Sequence, residues 1–302
     1  MKAAHGALAG LLAILANVTC AGPVGITWRP AEVGPLKSPH GALLIPVGVG
    51  DLQCLMQLDT GAGTVFYRET TPAGWVDKAG DSVTVPDLSI GGTRIPAGKF
   101  PIFPGAMFDG KSAPCSPTNR DVVIGTIGLD TLKTGSIVID MPAARFEFIA
   151  HGVLSTSTSA GAPVFRFASL EGVDASIPLF ELTGRNGGSY KMMLDTGSAP
   201  VGAMFYREPD WLAGTTSATR TKPFQIVRWG QPASCRYGQG KLAIPGARSS
   251  LQISDRIFFC DRLGEQVGNG DKMSGLIGLL PFEMQRLTID FVDRLASVEA
   301  SR

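Results

Sequence analysis

An internal repeat built around two Asp-Thr-Gly tripeptides is the feature that most constrains how this chain can fold. The segment LMQLDTGAGTVFYRE (55–69) aligns with MMLDTGSAPVGAMFYRE (192–208) once a short gap follows the tripeptide. In each copy an apolar run ends in an aspartate, Asp59 or Asp195. A carboxylate at the end of a buried strand is costly unless something compensates its charge. A chain that places this feature twice therefore needs a structural partner for each aspartate.

The repeat continues beyond the two tripeptides. VVIGTIGLDTLKTGSIVID (122–140) matches KMSGLIGLLPFEMQRLTID (272–290), with Gly128 over Gly278 and Asp140 over Asp290. Between these blocks, 85–103 and 238–259 both read as strand, glycine-containing turn and strand, which is typical of hairpins. A repeat of this length is too long for a solenoid and predicts two similar β lobes. We interpret Asp140 and Asp290 as structural residues that cap turns at strand ends.

The predicted organisation is one lobe over residues 38–150 and a second over 160–302, joined by the small polar residues of 150–163. A chain of 302 residues is long enough for two separate cores. The 38 glycines and 21 prolines, set between short Val, Ile, Leu and Phe runs, favour a mainly β protein. Helices are expected only locally, after Gly128 and Gly278.

The first residues, 1–21, are predicted to be a signal peptide cut after Ala21. They carry one lysine, an apolar stretch and small residues near the cut. An uncleaved membrane anchor is the alternative, although the apolar run is short for a spanning helix. We expect the mature protein to be secreted or periplasmic, with no further membrane contact.

Cleavage after Ala21 leaves four cysteines, two in each half of the chain. The simplest pairing joins Cys54 to Cys115 and Cys235 to Cys260, which suits an oxidising compartment. Free, buried thiols are the alternative, because sequence alone does not determine connectivity.

Charge and residue counts exclude several classes of function. The 27 Lys and Arg against 26 Asp and Glu give no basic footprint for nucleic acid. There is no Cys-x-x-Cys spacing and few histidines, so neither a zinc site nor a histidine-based triad is favoured, and we expect no metal and no cofactor. A serine hydrolase centred on Ser198 lacks the Gly-x-Ser-x-Gly elbow.

The duplicated motifs resemble those of the pepsin-like and retropepsin-like aspartic proteases. The resemblance rests on Asp59-Thr60-Gly61-Ala62 and Asp195-Thr196-Gly197-Ser198, with the glycine elements that end at Gly128 and Gly278. It implies an all-β, bilobal pepsin-like fold, with two β-barrel-like lobes, a cleft between them and a catalytic aspartate from each lobe. It also implies that Thr60 and Thr196 brace the two loops across the lobe interface. A peptide or protein is the expected substrate, and a monomer the expected state.

The chemistry of two adjacent carboxylates supports the same interpretation. Carboxylates about 3 Å apart cannot both ionise, so one stays protonated as an acid while the other acts as a base. Gly61 and Gly197 leave their backbone amides free to approach a carboxylate. The hydroxyl of Ser198 can donate to Asp195, whereas Ala62 offers nothing equivalent to Asp59, so we expect Asp195 to be the ionised base. The alternative to a catalytic role is a structural one, in which Asp59 and Asp195 cap turns.

The sequence departs from pepsin at the flap, the hairpin that closes the cleft. No Tyr-Gly signature occurs between Asp59 and Gly128. Trp75 and Trp229 are candidates to line the substrate cleft instead, although an aromatic residue in a β protein is often part of the core. The second half is longer between its aspartate and its glycine, and the extra residues around Trp229 predict a projecting hairpin. A non-catalytic protein that uses the cleft for binding is therefore the alternative function.

Overall fold

The structure, a computed structural model, describes residues 22–85, 87–95, 98–104, 113–150, 153, 162–228, 231–246, 249–261 and 272–301. The predicted signal segment 1–21 and the predicted cleft residue Trp229 lie outside the described residues. Strands make up most of the described chain, as the composition predicts. They are β1 (Val24–Gly25), β2 (Thr27–Val33), β3 (Leu36–Val49), β4 (Leu52–Asp59), β5 (Val65–Tyr67), β6 (Ser82–Val85), β7 (Leu88–Ile90), β8 (Thr93–Ile95), β9 (Gly98–Phe103), β10 (Val123–Gly128), β11 (Ser136–Asp140), β12 (Arg145–Ile149), β13 (Val164–Arg166), β14 (Leu179–Gly184), β15 (Ser189–Leu194), β16 (Ala203–Phe205), β17 (Phe224–Arg228), β18 (Gln231–Gly238), β19 (Leu242–Pro245), β20 (Ser250–Ile253), β21 (Ile257–Cys260), β22 (Gly275–Ile277), β23 (Gln285–Asp290) and β24 (Leu295–Ala300).

The helices within the described ranges are short. The α-helices are α1 (Leu129–Leu132) and α2 (Glu208–Gly214), and the 3-10 helices are Ala73–Trp75, Thr196–Ser198, Ser217–Thr219 and Leu280–Phe282. The helix predicted after Gly128 is α1, and the one predicted after Gly278 is the 3-10 turn at Leu280–Phe282. Helix α2 has no counterpart in the sequence prediction.

Each half of the chain forms a nine-stranded sheet on the same plan. The first runs β6-β9-β5-β10-β4-β3-β7-β8, with β2 added on β3, and the second runs β17-β18-β21-β16-β22-β15-β14-β19-β20. In each, the strand that leads into an Asp-Thr-Gly lies parallel to the strand of the glycine element, β4 on β10 and β15 on β22. The fold is all-β and bilobal, as predicted.

A third sheet joins the halves, in the order β1-β12-β11-β23-β24-β13. Its central pair is β11 and β23, the two Ile-Asp strands of the repeat, which lie antiparallel with Ile137 opposite Ile289. Asp140 accepts the amide of Ala143, and the fully buried Asp290 accepts the amide of Val292. Both aspartates cap turns at strand ends, so their predicted structural role is confirmed.

Two disulfides fasten the sheets. Cys54 on β4 is bonded to Cys115, and Cys235 on β18 is bonded to Cys260 directly opposite it on β21. The predicted pairing is confirmed, and the alternative of free thiols is wrong.

The predicted hairpins are present in both halves. Strands β7 and β8 are joined by Gly91 and Gly92, whose φ angles of 57° and 86° suit a tight turn that favours glycine. Strands β19 and β20 form the matching hairpin of the second half, and β17 pairs with β18 on either side of Trp229. Strand β2 belongs to the first sheet, although it lies upstream of residue 38, where we placed the start of the first lobe.

Among the described residues, no helix is both long and apolar enough to cross a bilayer.

Candidate active site

Asp59 and Asp195 stand at equivalent places in the two sheets, each at the end of an apolar strand. The turn after each strand directs the glycine amide back at the aspartate: Gly61 N–H donates to Asp59 Oδ1 at 2.8 Å, and Gly197 N–H donates to Asp195 Oδ1 at 2.9 Å. A carboxylate that accepts a backbone amide is held in one orientation.

Each carboxylate lies against the glycine of the opposite loop. A Cβ atom at Gly61 would lie 2.7 Å from Asp195 Cγ, and one at Gly197 would lie 2.4 Å from Asp59 Cγ. No side chain fits at either glycine, because both gaps are shorter than any real Cβ contact. The two loops thus bring the carboxylates together, and both aspartates line one cavity.

Thr60 and Thr196 hold the two loops to each other. The hydroxyl of Thr60 donates to Leu194 O at 2.6 Å and accepts the amide of Thr196 at 3.1 Å. The hydroxyl of Thr196 donates to Leu58 O at 3.0 Å and accepts the amide of Thr60 at 3.0 Å. Both threonines are buried, so this symmetrical set of hydrogen bonds forms away from solvent, where an unmade bond is costly.

The two loops differ at the fourth position of the motif. Ser198 Oγ donates to Asp195 Oδ2 at 2.8 Å, so both carboxylate oxygens of Asp195 accept a hydrogen bond. Ala62 occupies the matching position beside Asp59 and has no polar side-chain atom. Asp195 is also the more buried of the pair, at 5% exposure.

Gly128 and Gly278 let backbone pack beneath the loops. A Cβ at Gly128 would lie 2.3 Å from Ala62 O, and one at Gly278 would lie 2.1 Å from Ser198 O. Any larger residue would displace the loop that carries an aspartate. This close approach explains why glycine stands at both positions of the repeat.

The first loop has an additional support that the sequence analysis missed. Asp130 Oδ1 accepts from the Thr64 amide at 2.8 Å and from the Thr64 hydroxyl at 2.7 Å, and Thr64 Oγ1 in turn accepts the Gly128 amide at 3.0 Å. The residue aligned with Asp130 in the second half is Leu280. The comparison of repeats could not single out Asp130, because its role is not duplicated.

Thr126 stands where the second copy of the repeat has the apolar Leu276, and it forms a hydrogen bond with Tyr67. The Thr126 hydroxyl lies 2.8 Å from Tyr67 Oη. Burial raises the pKa of Tyr67 to about 12, and the charge of nearby Asp59 adds to the rise. Tyr67 is thus a neutral, buried neighbour of the aspartate, packed in the first sheet.

A cavity of about 310 Å³ opens over the two aspartates. Its described walls come from the two motif loops, the end of β4, strand β16, the β2–β3 hairpin and the β17–β18 hairpin. The lining residues are Ala31, Glu32, Val33, Gly41, Gln57, Asp59, Gly61, Ala62, Asp195, Gly197, Ser198, Pro200, Val201, Met204 and Ile226.

Trp75 and Trp229 were predicted to line the substrate cleft. Trp75 is half-buried against the hydrophobic core and does not line this cavity. Trp229 lies outside the described residues, but the hairpin that carries it reaches the cavity through Ile226. The β2–β3 hairpin was not predicted to contribute, because β2 and the turn after it precede the expected start of the lobe at residue 38.

Among the described residues, no group of three or more His, Cys, Asp or Glu side chains is arranged to hold a metal ion. The site offers two adjacent carboxylates at the wall of one cavity. Such a pair can share a proton and orient a water molecule.

Comparison with known proteins gives a likeness of fold. No family model matches the chain, and no curated protein matches it. Among solved structures, the chain is similar to the crystal structure of an aspartic proteinase from Irpex lacteus, at 14% identity and a TM-score of 0.50. The match covers 93% of this chain and 97% of the other. At this identity the likeness shows the fold alone.

Proposed function

We propose that this chain is a secreted aspartic endopeptidase, in which Asp59 and Asp195 activate a water molecule that hydrolyses a peptide bond. The observation that carries the proposal is the reciprocal placement of the carboxylates, each against the glycine of the other loop. A pair of turn caps would not need two loops braced together at the mouth of one cavity. The likeness of fold to an aspartic proteinase supports the same class of hydrolase.

The proposed reaction uses one proton shared by the pair. Ionised Asp195 takes a proton from water as the water oxygen attacks the scissile carbonyl carbon, while protonated Asp59 gives its proton to the carbonyl oxygen. The tetrahedral intermediate then collapses: Asp59 recovers that proton, Asp195 protonates the leaving amine, and the C–N bond breaks. The pair returns to its starting state with one proton.

The asymmetry of the loops supports this division of roles. The ionised form of a carboxylate is favoured by each hydrogen bond it accepts. Asp195 accepts from Gly197 and from Ser198, whereas Asp59 accepts from Gly61 and has Ala62 where the serine would be. This division of roles describes the predominant position of the one proton that the pair shares in the proposed reaction.

We propose secretion or export because the chain carries two disulfides, which persist in oxidising compartments. In this proposal residues 1–21 are the signal peptide, and the lobes are the 38–150 and 160–302 segments, with β2 added to the first. The active form is proposed to be a monomer, because both aspartates come from one chain.

A non-catalytic binding protein is the second candidate, and one observation favours it. In the first half, the hairpin at the place of β17–β18 is short: Val76 forms a single antiparallel bridge with Val83 of β6, and residues 77–82 make the turn. A peptide held in the cleft would then be covered by the β2–β3 and β17–β18 hairpins instead.

Digestion of a peptide library at several pH values separates the two candidates. We expect cleavage that a statine peptide inhibits, because statine imitates the tetrahedral intermediate. Binding of statine peptides without cleavage of any library member would favour the binding protein.

A further inference from the structure

The β2–β3 hairpin of the first half reaches across to the second half. Its turn is Gly34–Pro35, and Val33 and Leu36 lie opposite each other on either side of that turn. A Cβ atom added at Gly34 would lie 2.7 Å from Phe224 Cγ on β17, so the backbone of the turn rests directly on that ring. Val33 and Leu36 pack against a core cluster whose buried members all belong to the second half. The tip of the hairpin thus joins the two lobes.

The same hairpin forms one wall of the proposed active-site cavity. Ala31, Glu32 and Val33 line this cavity on the strand that leads into the turn, and Ile226 lines it two residues after Phe224. The contact between the hairpin tip and β17 therefore lies beside the cavity that holds both aspartates. A peptide that enters from this side must displace the contact.

The contact that holds the tip is apolar. Within the described part of the chain, no hydrogen bond or ion pair joins residues 31–37 to the second half. The ion pair between Glu32 and Lys37, at 3.2 Å, links the two arms of the hairpin to each other. Apolar contact is not directional, and a small, half-buried contact opens more readily than the core of a lobe. The tip can therefore separate from Phe224 while the hairpin itself stays paired.

The pairing of β2 with β3 is interrupted below the tip. Between the pairs Arg29–Ala42 and Ala31–Ser38, a single residue of β2, Pro30, faces three residues of β3. Proline has no amide hydrogen to donate to the ladder, and an irregularity of this kind bends a strand. The outer section of the hairpin, residues 31–38, is thus joined to its sheet through a break in the ladder that can serve as a hinge.

The β3 side of this break is anchored. His40 is one of the three β3 residues at the break, and its Nδ1 donates to Glu283 Oε1 of the second half at 2.7 Å. The His40 ring also packs against Trp28, with 4.7 Å between the ring centroids. An anchored base and a separately held tip are the two parts that a hinged element needs.

We propose that the outer section of the β2–β3 hairpin is a gate beside the proposed active site, and that the ring of Phe224 holds this gate closed. The gate opens about the break at Pro30 and admits a peptide to the two aspartates. The proposal rests on the proposed function for the identity of what enters the cavity. Phe224 is then a positioning residue, because it acts on substrate entry through the hairpin and is not one of the described lining residues.

A disulfide that locks the gate is the most direct test. Gly34→Cys with Phe224→Cys places two thiols where the turn meets the ring, within reach of a disulfide. The probe is a statine peptide selected from a library, and stopped-flow fluorescence measures its association rate. We expect the oxidised protein to bind this peptide at least about tenfold more slowly than the same protein after mild reduction, because a gate that cannot open blocks entry.

The comparison has two controls. Phe224→Cys alone, treated in the same way, should bind at one rate before and after reduction. The four native cysteines are buried at 1–3% exposure, so mild reduction spares their bonds. Equal association rates in the oxidised and reduced double variant would overturn the gate. Failure of the two new thiols to join under oxidising conditions would overturn the contact on which the proposal depends.

A second variant releases the gate without new cysteines. Phe224→Ala removes the ring beneath the turn and should raise the association rate severalfold. Phe100→Ala is the matched control, since Phe100 is a half-buried phenylalanine that packs against Phe66 in the first sheet, and it should leave the rate unchanged. An unchanged rate in Phe224→Ala, or an equal increase in Phe100→Ala, would show that this ring does not hold the gate.

Binding and cleavage are measured separately, which distinguishes this proposal from the proteolytic one. Slower binding by the locked protein, together with no cleavage of any library member by the wild type, would support the gate and overturn the proteolytic function. Cleavage that the lock leaves unchanged would do the reverse. A library without any statine peptide that binds would overturn both proposals, because the cavity would then not be a peptide site.

Discussion

Thr60 and Thr196 each accept the backbone amide of the other through a side-chain oxygen, at 3.0 and 3.1 Å. Each hydroxyl also donates to the residue before the other aspartate, so the two loops are locked in a two-fold arrangement. This relationship sets the separation of the two carboxylates, because each aspartate directly precedes one of the threonines.

Thr60→Val should lower both stability and activity. It removes two buried hydrogen bonds and leaves the Thr196 amide and the Leu194 carbonyl unpaired, which we expect to cost about 2–4 kcal/mol in the free energy of unfolding. Displacement of the aspartates should lower kcat/KM by about 10²-fold. Thr60→Ser keeps the hydroxyl and should keep most of both. Urea unfolding and peptide hydrolysis measure the effects, and a Thr60→Val protein as stable as Thr60→Ser would contradict the prediction.

Asp59→Asn and Asp195→Asn should each lower kcat/KM by at least about 10³-fold, because an amide cannot serve as base or acid in the shared-proton step. The double variant should be little worse than either single one, since the two carboxylates act as a unit. Asp121→Asn, at an exposed position, is the control. The measurement is hydrolysis of the same peptide with folding checked by circular dichroism, and substantial activity in either single variant would refute the assignment.

Ser198→Ala should shift the acidic limb of the pH profile of kcat/KM. Removing the hydroxyl that donates to Asp195 Oδ2 disfavours the ionised form of the pair, so more alkaline conditions are needed to form it. We expect the limb to move upward by about half to one pH unit. Ser198→Thr retains the donor and should keep the wild-type profile. An acidic limb that stays in place in Ser198→Ala would mean that the asymmetry arises elsewhere.

The two disulfides should contribute unequally to stability. Cys54 and Cys115 are 61 residues apart, whereas Cys235 and Cys260 are 25 apart. From loop entropy, Cys54→Ala with Cys115→Ala should cost about 4 kcal/mol, and Cys235→Ala with Cys260→Ala about 3.5 kcal/mol. Replacing both cysteines of a pair leaves no free thiol. Urea denaturation of each double variant measures the loss, and no loss in either would show that the bond does not form in solution.

Asp77 should make the first lobe sensitive to acid. The hydroxyl of Ser82, and then Lys99 at 3.0 Å, hold the pKa of Asp77 well below its usual range. Because the pKa is lower in the folded state, this contribution to stability is complete above the ordinary aspartate pKa of about 3.9 and is lost as pH falls further. Asp77→Asn should therefore be less stable than wild type at pH 6, with the difference shrinking below about pH 4. Exposed Asp261→Asn is the control, and a pH-independent difference for Asp77→Asn would contradict the prediction.

The sequence by itself determined the fold class and brought Asp59 and Asp195 forward as a pair. Both conclusions came from the repeat, since a duplicated strand, turn and glycine element must fold alike in each copy. The glycines could be explained in the same way, because only a close backbone approach requires that residue at Gly128 and Gly278. The cysteine pairing followed from having two cysteines in each half, although the sequence did not exclude free thiols.

Only the tertiary structure decided which residues surround the aspartates. Asp130 acts on one side of the pseudo-symmetric site, so the repeat gave no signal for it. The β2–β3 hairpin lines the cavity through Ala31, Glu32 and Val33, which are far from both aspartates in the sequence, so no local pattern records this contact. Trp75 packs on the core. The sequence could not predict this, because apolar patterns do not distinguish a core aromatic residue from one that lines a cleft. The local sequence thus specifies strands and turns, whereas the walls of the cavity arise from segments that meet only when the two lobes pack together.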